Sequence, residues 1–313
     1  MSVVVVVGDV MNDVVVRALG PVEVGSDTES EIRRSPGGSG ANQAAWLATL
    51  GVPVRFYARV GASDLEEHVS ALRLFGVDAC LTADPELCTG SIVVLVEREG
   101  ERSMFTDRGA NLRLVRDDLP RDLDGVAGLH VSGYALFEPA TRRAVADLIA
   151  EAVRESVPVS IDPSSESYLR ALGPGRFLSL TAGVETIFPN APEARLLTGC
   201  KDVGEAARAL CARYPTAVVK LGKDGALLAA RGRSPVHVDA PDAEVVDTTG
   251  AGDAFCAGYL GASYRGAVPL DALRAALETA AAALGHLGGR PRWTGGAWAA
   301  SVPPPQAGPA RDR

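Results

Sequence analysis

No hydrophobic run in the sequence is long enough to cross a bilayer. The most apolar stretch, Val3–Val7, is five residues, where a spanning helix needs roughly 20. No basic leader precedes it and no small-residue cleavage site follows, so it does not read as a signal peptide. Cysteine is sparse and odd in number: Cys80, Cys88, Cys200, Cys211 and Cys256, with no C-x-x-C pair. That argues against a disulfide framework and leads to the expectation of a reducing, cytoplasmic compartment. The four histidines, His68, His130, His237 and His286, have no metal-ligand spacing. Net positive charge is missing too. A formal charge of −8 and a pI near 5.2 match neither nucleic acid nor an anionic membrane surface. The sequence carries no G-x-x-x-x-G-K-[ST] loop, no His-Arg-Asp or Asp-Phe-Gly set and no Gly-x-Ser-x-Gly elbow. Those gaps exclude a P-loop kinase, a protein kinase and an α/β-hydrolase.

What is present suffices for a large core. The chain has 313 residues, 47% of them hydrophobic and 22% charged, as in a soluble globular protein. Val3–Val7 is a β-branched run and reads as a strand buried on both faces. Residues 54–60, 129–131, 158–162, 186–188 and 217–220 are further short apolar strands. Helical text lies at 41–50, 65–75, 139–155, 191–198, 203–213, 252–265 and 270–285. Strand alternating with helix predicts a doubly wound, mainly parallel sheet flanked by helices. Residues 225–230 and 235–238 read as a late antiparallel pair. Two windows break the pattern. Residues 14–34 alternate and carry turns, and 91–97 with 102–106 flank Glu99-Gly100 as a hairpin. Both are expected to form a small sheet standing off the body. The expected organisation is one domain over 1–300, with lid segments at about 14–34 and 90–107 inserted. A disordered tail is expected over 301–313, where Pro303-Pro304-Pro305 stands.

The strongest motif is Asp247-Thr248-Thr249-Gly250-Ala251-Gly252-Asp253 at the start of a helix. Glycines before a helix let successive amides point at one spot, and the helix dipole adds positive charge there. Gly250, Ala251 and Gly252 thus predict an anion hole for a transferring phosphoryl group, with Asp253 beside it as general base. Read alone, Asp253 is equally a helix cap. A second motif, Gly37-Gly38-Ser39-Gly40-Ala41-Asn42, would let a polyol approach the backbone, with Asn42 pairing its hydroxyls.

Together these motifs resemble the ribokinase-like (PfkB-type) family of carbohydrate and nucleoside kinases, over nearly the whole chain. Residues 37–45 are similar to its N-terminal signature and 247–260 to its C-terminal one. The resemblance implies a ribokinase-like α/β fold with a small β-sheet lid. It implies an ATP-dependent phosphotransferase acting on a hydroxyl of a sugar or sugar derivative. Gly8, Asp9, Asn12 and Asp13 look like the family's substrate loop, so Asp13, Gly37, Gly38 and Asn42 are expected to hold substrate. Arg108 is expected to reach a carboxylate or phosphate of the substrate; its bland alternative is a surface ion pair with Asp107 or a nearby carboxylate. Asn190 and Glu193 look like the Asn-x-x-Glu motif, with Asn190 toward ATP and Glu193 toward Mg²⁺ through water; capping serves equally well. Lys220, Gly222 and Gly225 look like the nucleotide loop. Asp247 and Thr249 match the side of the signature that holds a monovalent cation such as K⁺. One departure stands at 284–290, Leu-Gly-His-Leu-Gly-Gly-Arg, where relatives carry a Thr-Arg-x-Gly-Ala-like turn. The alternatives are a nucleoside kinase of adenosine or pseudouridine type, or a non-catalytic sugar-binding protein. A homodimer through the lid is also expected.

Overall fold

A computed structural model describes residues 2–96 and 102–292 of the chain. The expected tail over 301–313 and the hairpin tip Glu99-Gly100 lie outside the described residues. Val3–Val7 forms β1. Side chains alternate across a strand, and here Val5 and Val7 enter one core while Val4 and Val6 enter another. A strand covered on both faces has no polar position, which explains the unbroken valine run.

The chain continues through β2 (Met11–Ala18), β3 (Ser30–Gly37), α1 (Ser39–Thr49), β4 (Val54–Gly61), α2 (Leu65–Arg73) and β5 (Asp78–Asp84). Then come β6 (Thr89–Val96), β7 (Arg102–Gly109), β8 (Val126–Ser132), α3 (Pro139–Arg154) and β9 (Val159–Asp162). Next are α4 (Glu166–Leu172), α5 (Pro174–Leu180), β10 (Thr186–Ile187), α6 (Ala191–Thr198), α7 (Val203–Leu210) and β11 (Thr216–Lys220). Last are β12 (Ala226–Ala230), β13 (Val236–Val238), α8 (Ala251–Tyr264) and α9 (Pro269–Leu284).

Among the described residues the large sheet runs β13-β12-β11-β10-β9-β8-β1-β4-β5. It is parallel from β5 through β11 and antiparallel across β11, β12 and β13. Helices α3 to α7 cover one face, and α1, α2, α8 and α9 cover the other. β1 pairs with β4 on one side and β8 on the other. The winding reverses there, so a crevice opens at the carboxyl ends of β1 and β8, where open α/β sheets bind ligands. This is the mainly parallel, helix-flanked architecture that the sequence predicts.

A smaller sheet of order β3-β2-β6-β7 stands apart. Its strands come from the two windows singled out in the sequence, with wider limits. β2 begins at Met11, so Asp13 sits in a strand rather than in a loop after β1. Arg108 lies inside β7 rather than beyond the hairpin. Three elements go unpredicted. β5 is an edge strand with polar ends at Asp78 and Asp84, and α4 and α5 have seven residues each. Two turns are too few to display a 3.6-residue period. No helix of the described residues is long and apolar enough to cross a membrane.

Candidate active site

Asp253 occupies the first turn of α8, and its carboxylate is not a cap. The N-cap position belongs to Gly250, which has no side chain, and Asp253 lies three residues further in. Its oxygens instead take donors from α1: Ser39 Oγ at 2.6 Å, Asn42 Nδ2 at 2.9 Å and Gln43 Nε2 at 3.2 Å. These residues share the first two turns of α1, so the second glycine motif delivers them to the first. Burial pushes the Asp253 carboxyl up to about 7, against the hydrogen bonds from Ser39 and Asn42. A carboxyl near 7 is matched to proton abstraction at neutral pH.

Gln43 links Asp253 to a second buried carboxylate that the sequence reading missed. Its Nε2 also lies 3.2 Å from Asp162 Oδ2. On the other side Gln43 Oε1 is 3.1 Å from His130 Nε2, and His130 Nδ1 is 2.8 Å from Ser160 Oγ. An amide that gives its NH₂ to two carboxylates must present its oxygen to the ring, so His130 Nε2 carries the proton. Burial drives His130 down to about 4, which keeps the ring neutral in that tautomer. Asp162 ends β9 at the carboxyl edge of the sheet. An acidic residue closing an apolar parallel strand is the one signal that could have marked it.

Lys220, at the end of β11, binds Asp162 with Nζ at 3.0 and 3.1 Å from the two oxygens. Burial opposes its charge, but Asp162, Cys256 and Glu193 together more than offset this and hold the ammonium above its ordinary value. Its Nζ also lies 3.6 Å from where a Cβ on Gly252 would stand. A fixed cation thus sits beside the first turn of α8, whose amides have no i−4 carbonyl to bind. The loop before α6 pairs with Lys220 through its Asn190 backbone. Asn190 and Glu193 do cap α6: Asn190 Oδ1 accepts from the Glu193 amide and Glu193 Oε2 from the Asn190 amide, both at 2.8 Å. Yet Glu193 is buried, and burial lifts it to about 7 while Lys220 opposes the rise.

The residues expected to hold substrate lie where the small sheet meets α1. Asp13 lies over Gly37 so closely that a Cβ there would meet its Oδ2 at 2.2 Å. Burial and the neighbouring Asp9 push Asp13 up to about 7. Gly38, at φ +96°, passes within 2.5 Å of the Asp9 carbonyl if given a Cβ, so only glycine closes this corner. Arg108 does pair with a nearby carboxylate, but inside the protein rather than at its surface. Its Nη1 binds Asp9 Oδ2 at 3.1 Å, and its guanidinium lies 4.6 Å from the Tyr134 ring centroid. Phe137 packs in the core.

The remaining candidates lie at the edge of this centre. Gly222 and Gly225 bracket the turn from β11 to β12, at φ +64° and +91°, so the hairpin reading of that loop describes its structure. Asp247 Oδ1 accepts from the Thr249 amide at 3.0 Å and its hydroxyl at 2.8 Å, and Oδ2 from the Gly288 amide at 3.0 Å. The structure thus gathers Asp253, Asn42, Asp162, Lys220 and the start of α8 at one place. Asp13, Gly37 and Gly38 lie on one side of it and Asn190 and Glu193 on the other.

Residues 1–294 match the model of the family described as pfkB family carbohydrate kinase. The ribokinase of Staphylococcus aureus (strain COL) is 27% identical over 72% of this chain and 73% of its own length. The structure of a probable sugar kinase from Rhizobium etli CFN 42 superposes with a TM-score of 0.83 at 26% identity, covering 93% of this chain and 96% of that one. An adenosine kinase from Sinorhizobium meliloti also gives 0.83, at 25% identity, over 93% and 96%.

Proposed function

We propose, from the premise that this chain belongs to the pfkB family of ATP-dependent carbohydrate kinases, that it phosphorylates a hydroxyl of a small sugar or sugar derivative with Asp253 as general base. The observation that carries the proposal is the buried Asp253 carboxyl, lifted to about 7 at the first turn of α8. Its three α1 donors fix both oxygens, so the carboxylate is aimed before substrate arrives. A substrate hydroxyl placed by Asp13, Asn42 and the Gly37-Gly38 backbone would give its proton to Asp253 as the new P–O bond forms. The amides at Gly250, Ala251 and Gly252, with Lys220 beside them, would stabilise charge on the transferring group. His130 and Gln43 hold Asp253 and Asp162 in place. Arg108, fixed by Asp9, would form the wall of the acceptor site on the small-sheet side.

Lys220, Asn190, Gly222 and Gly225 are proposed as the nucleotide side. ATP brings Mg²⁺, and the buried Glu193 fits it: a carboxyl neutralised by burial regains its charge beside a cation. Glu193 would hold the ion through water, and the ion would neutralise phosphate charge. Asp247 and Thr249 fit a monovalent cation less well, because three donors already occupy the Asp247 carboxylate. The chemistry above needs no such ion. The small sheet is proposed as a lid over the acceptor.

The test is a coupled assay with ATP–Mg²⁺ against a panel of sugars, sugar derivatives and nucleosides. At least one sugar is expected to yield a phosphorylated product. Transfer to adenosine or pseudouridine with none to any sugar would replace this reading with the nucleoside one. A panel without turnover would favour a binding protein.

The lid also supports a dimer. Ile32, Met104 and Phe105 are exposed on the small sheet at 61%, 65% and 62%. Among the described residues its outer strands β3 and β7 present unpaired edges, which natural sheets cover. A dimer mass in light scattering at micromolar concentration is expected. A monomer mass there contradicts the proposal.

A further inference from the structure

Arg290 is buried where the chain gives a guanidinium almost nothing to bind. The residue is 7% exposed. Among the described residues Nη2 reaches only the Gly37 carbonyl, at 3.5 Å, and Nε and Nη1 have no hydrogen-bond partner. Other cations held in the body are treated differently. Arg59 binds Asp84 and Asp118, Arg108 binds Asp9, Lys220 binds Asp162, and Arg142 binds two carbonyls. A buried cation whose N–H groups are left without acceptors is strongly unfavourable. The charge of Asp13 offsets only part of this, since burial still holds Arg290 down to about 10, so its unmet donors point to a partner outside the chain.

The surroundings identify where that partner would sit. Gly289 lies against both Gly250 and Asn42: a Cβ on Gly250 would meet Gly289 Cα at 2.3 Å, and one on Gly289 would meet Asn42 Nδ2 at 2.3 Å. Arg290, the next residue, extends from there to the Gly37 carbonyl and feels the charge of Asp13. It therefore lies among the residues assigned to the acceptor. Asp13 Oδ1 and Asn42 Oδ1 are also buried without a hydrogen-bond partner among the described residues. Two acceptors and two donors, all removed from water, occupy one corner. Hydroxyl groups satisfy the acceptors, and a guanidinium binds most strongly an oxygen that carries charge. Arg108 does not meet this need, because Asp9 already holds it.

We propose that Arg290 anchors a subsite for an anionic group carried by the acceptor, a carboxylate or a phosphate on the sugar, while Asp13 and Asn42 take its neighbouring hydroxyls. The proposal rests on the acceptor side assigned above and narrows its substrate class to acidic or phosphorylated sugars. Ordered water is the competing occupant.

The test is titration calorimetry in the presence of Mg²⁺ and a non-hydrolysable ATP analogue, which fills the nucleotide side. The ligands are ribose, ribonate and ribose 5-phosphate, with fructose and fructose 6-phosphate, and glucose and gluconate. At least one anionic member is expected to bind about tenfold or more tightly than its neutral parent. The carboxylate and phosphate arms decide which group it is. Arg290→Met is expected to abolish that preference while leaving ligand-free Tm equal or higher, since an unpaired buried charge is removed. Arg290→Lys should restore part of it. Equal affinity for neutral and anionic members, or no binding by any anionic member, overturns the proposal. So does a preference that survives Arg290→Met, and a fall in Tm beside it would mark Arg290 as structural. These readouts do not require turnover, so failure of the kinase reading is a separate result.

Discussion

Asp253→Asn is expected to lose at least about a hundredfold in turnover while keeping its fold and its affinity for ATP. The replacement keeps the size of the side chain and removes the base. Its new NH₂ would face the donors Ser39, Asn42 and Gln43. Asn42 Oδ1 has no hydrogen-bond partner, so a flip of that amide can accept the NH₂, and the local network survives. The parent's pH profile follows from the same group. Asp253 must be ionised to take a proton, and burial sets it at about 7. The rate is therefore expected to rise with pH through about 7 and then level off, and that limb should vanish in the variant.

Stability separates this role from a structural one. A carboxyl raised from 3.8 to about 7 on folding contributes stability that is complete below 3.8 and is lost as pH rises through about 7. Above that range Asp253 is a buried charge, and Asn removes it. The variant should then melt no lower than the parent near pH 8. Steady-state kcat and KM for ATP from about pH 6 to 9, with a thermal melt, check all three expectations. A kcat within a few-fold of the parent would refute the base assignment.

The place of Asp253 at the start of α8 was legible because its sequence neighbours mark it: two glycines, a helix start and a carboxylate within four residues. The network around it was not. Gln43, His130, Asp162 and Lys220 come from α1, β8, β9 and β11, and the contact between Gln43 and Asp162 spans 119 residues. No local period relates them; only the parallel order of the sheet brings their strand ends together. The same limit explains Arg290, which sequence reading passed over as part of an altered turn. The fold was legible where burial leaves a strong signature, as in the doubly covered β1. It was lost where the signature is short, as in α4 and α5. Asn190 and Glu193 show a third case, in which capping and candidate ligand roles use the same residue types at the same spacing, and the structure displays only the first.

The two glycines of the α8 motif look equivalent in sequence, but the structure gives them different tasks, and their alanine variants should separate. Gly250 has φ +75°, and a Cβ there would stand 2.3 Å from Gly289 Cα. A left-handed backbone costs an alanine about 1–2 kcal/mol before any clash. Gly250→Ala should therefore melt several degrees lower, at about 2–4 °C per kcal/mol for a chain approaching this size. Its activity should fall as the loop shifts. Gly252 is helical, and its Cβ would meet only Lys220 Nζ, at 3.6 Å. That is ordinary contact, so Gly252→Ala should fold and melt as the parent does. Its methyl group, however, would stand between the first-turn amides and the Lys220 ammonium, where the transferring phosphoryl group is proposed to lie. Removing a single oxyanion donor typically lowers turnover by about 10²–10³, and blocking the hole should lower it by on the order of a hundredfold. Thermal melts and kcat on the two variants decide the matter. Parent-like turnover in Gly252→Ala would remove the anion hole from that turn, and a parent-like melt in Gly250→Ala would show that the Gly289 contact does not hold the loop.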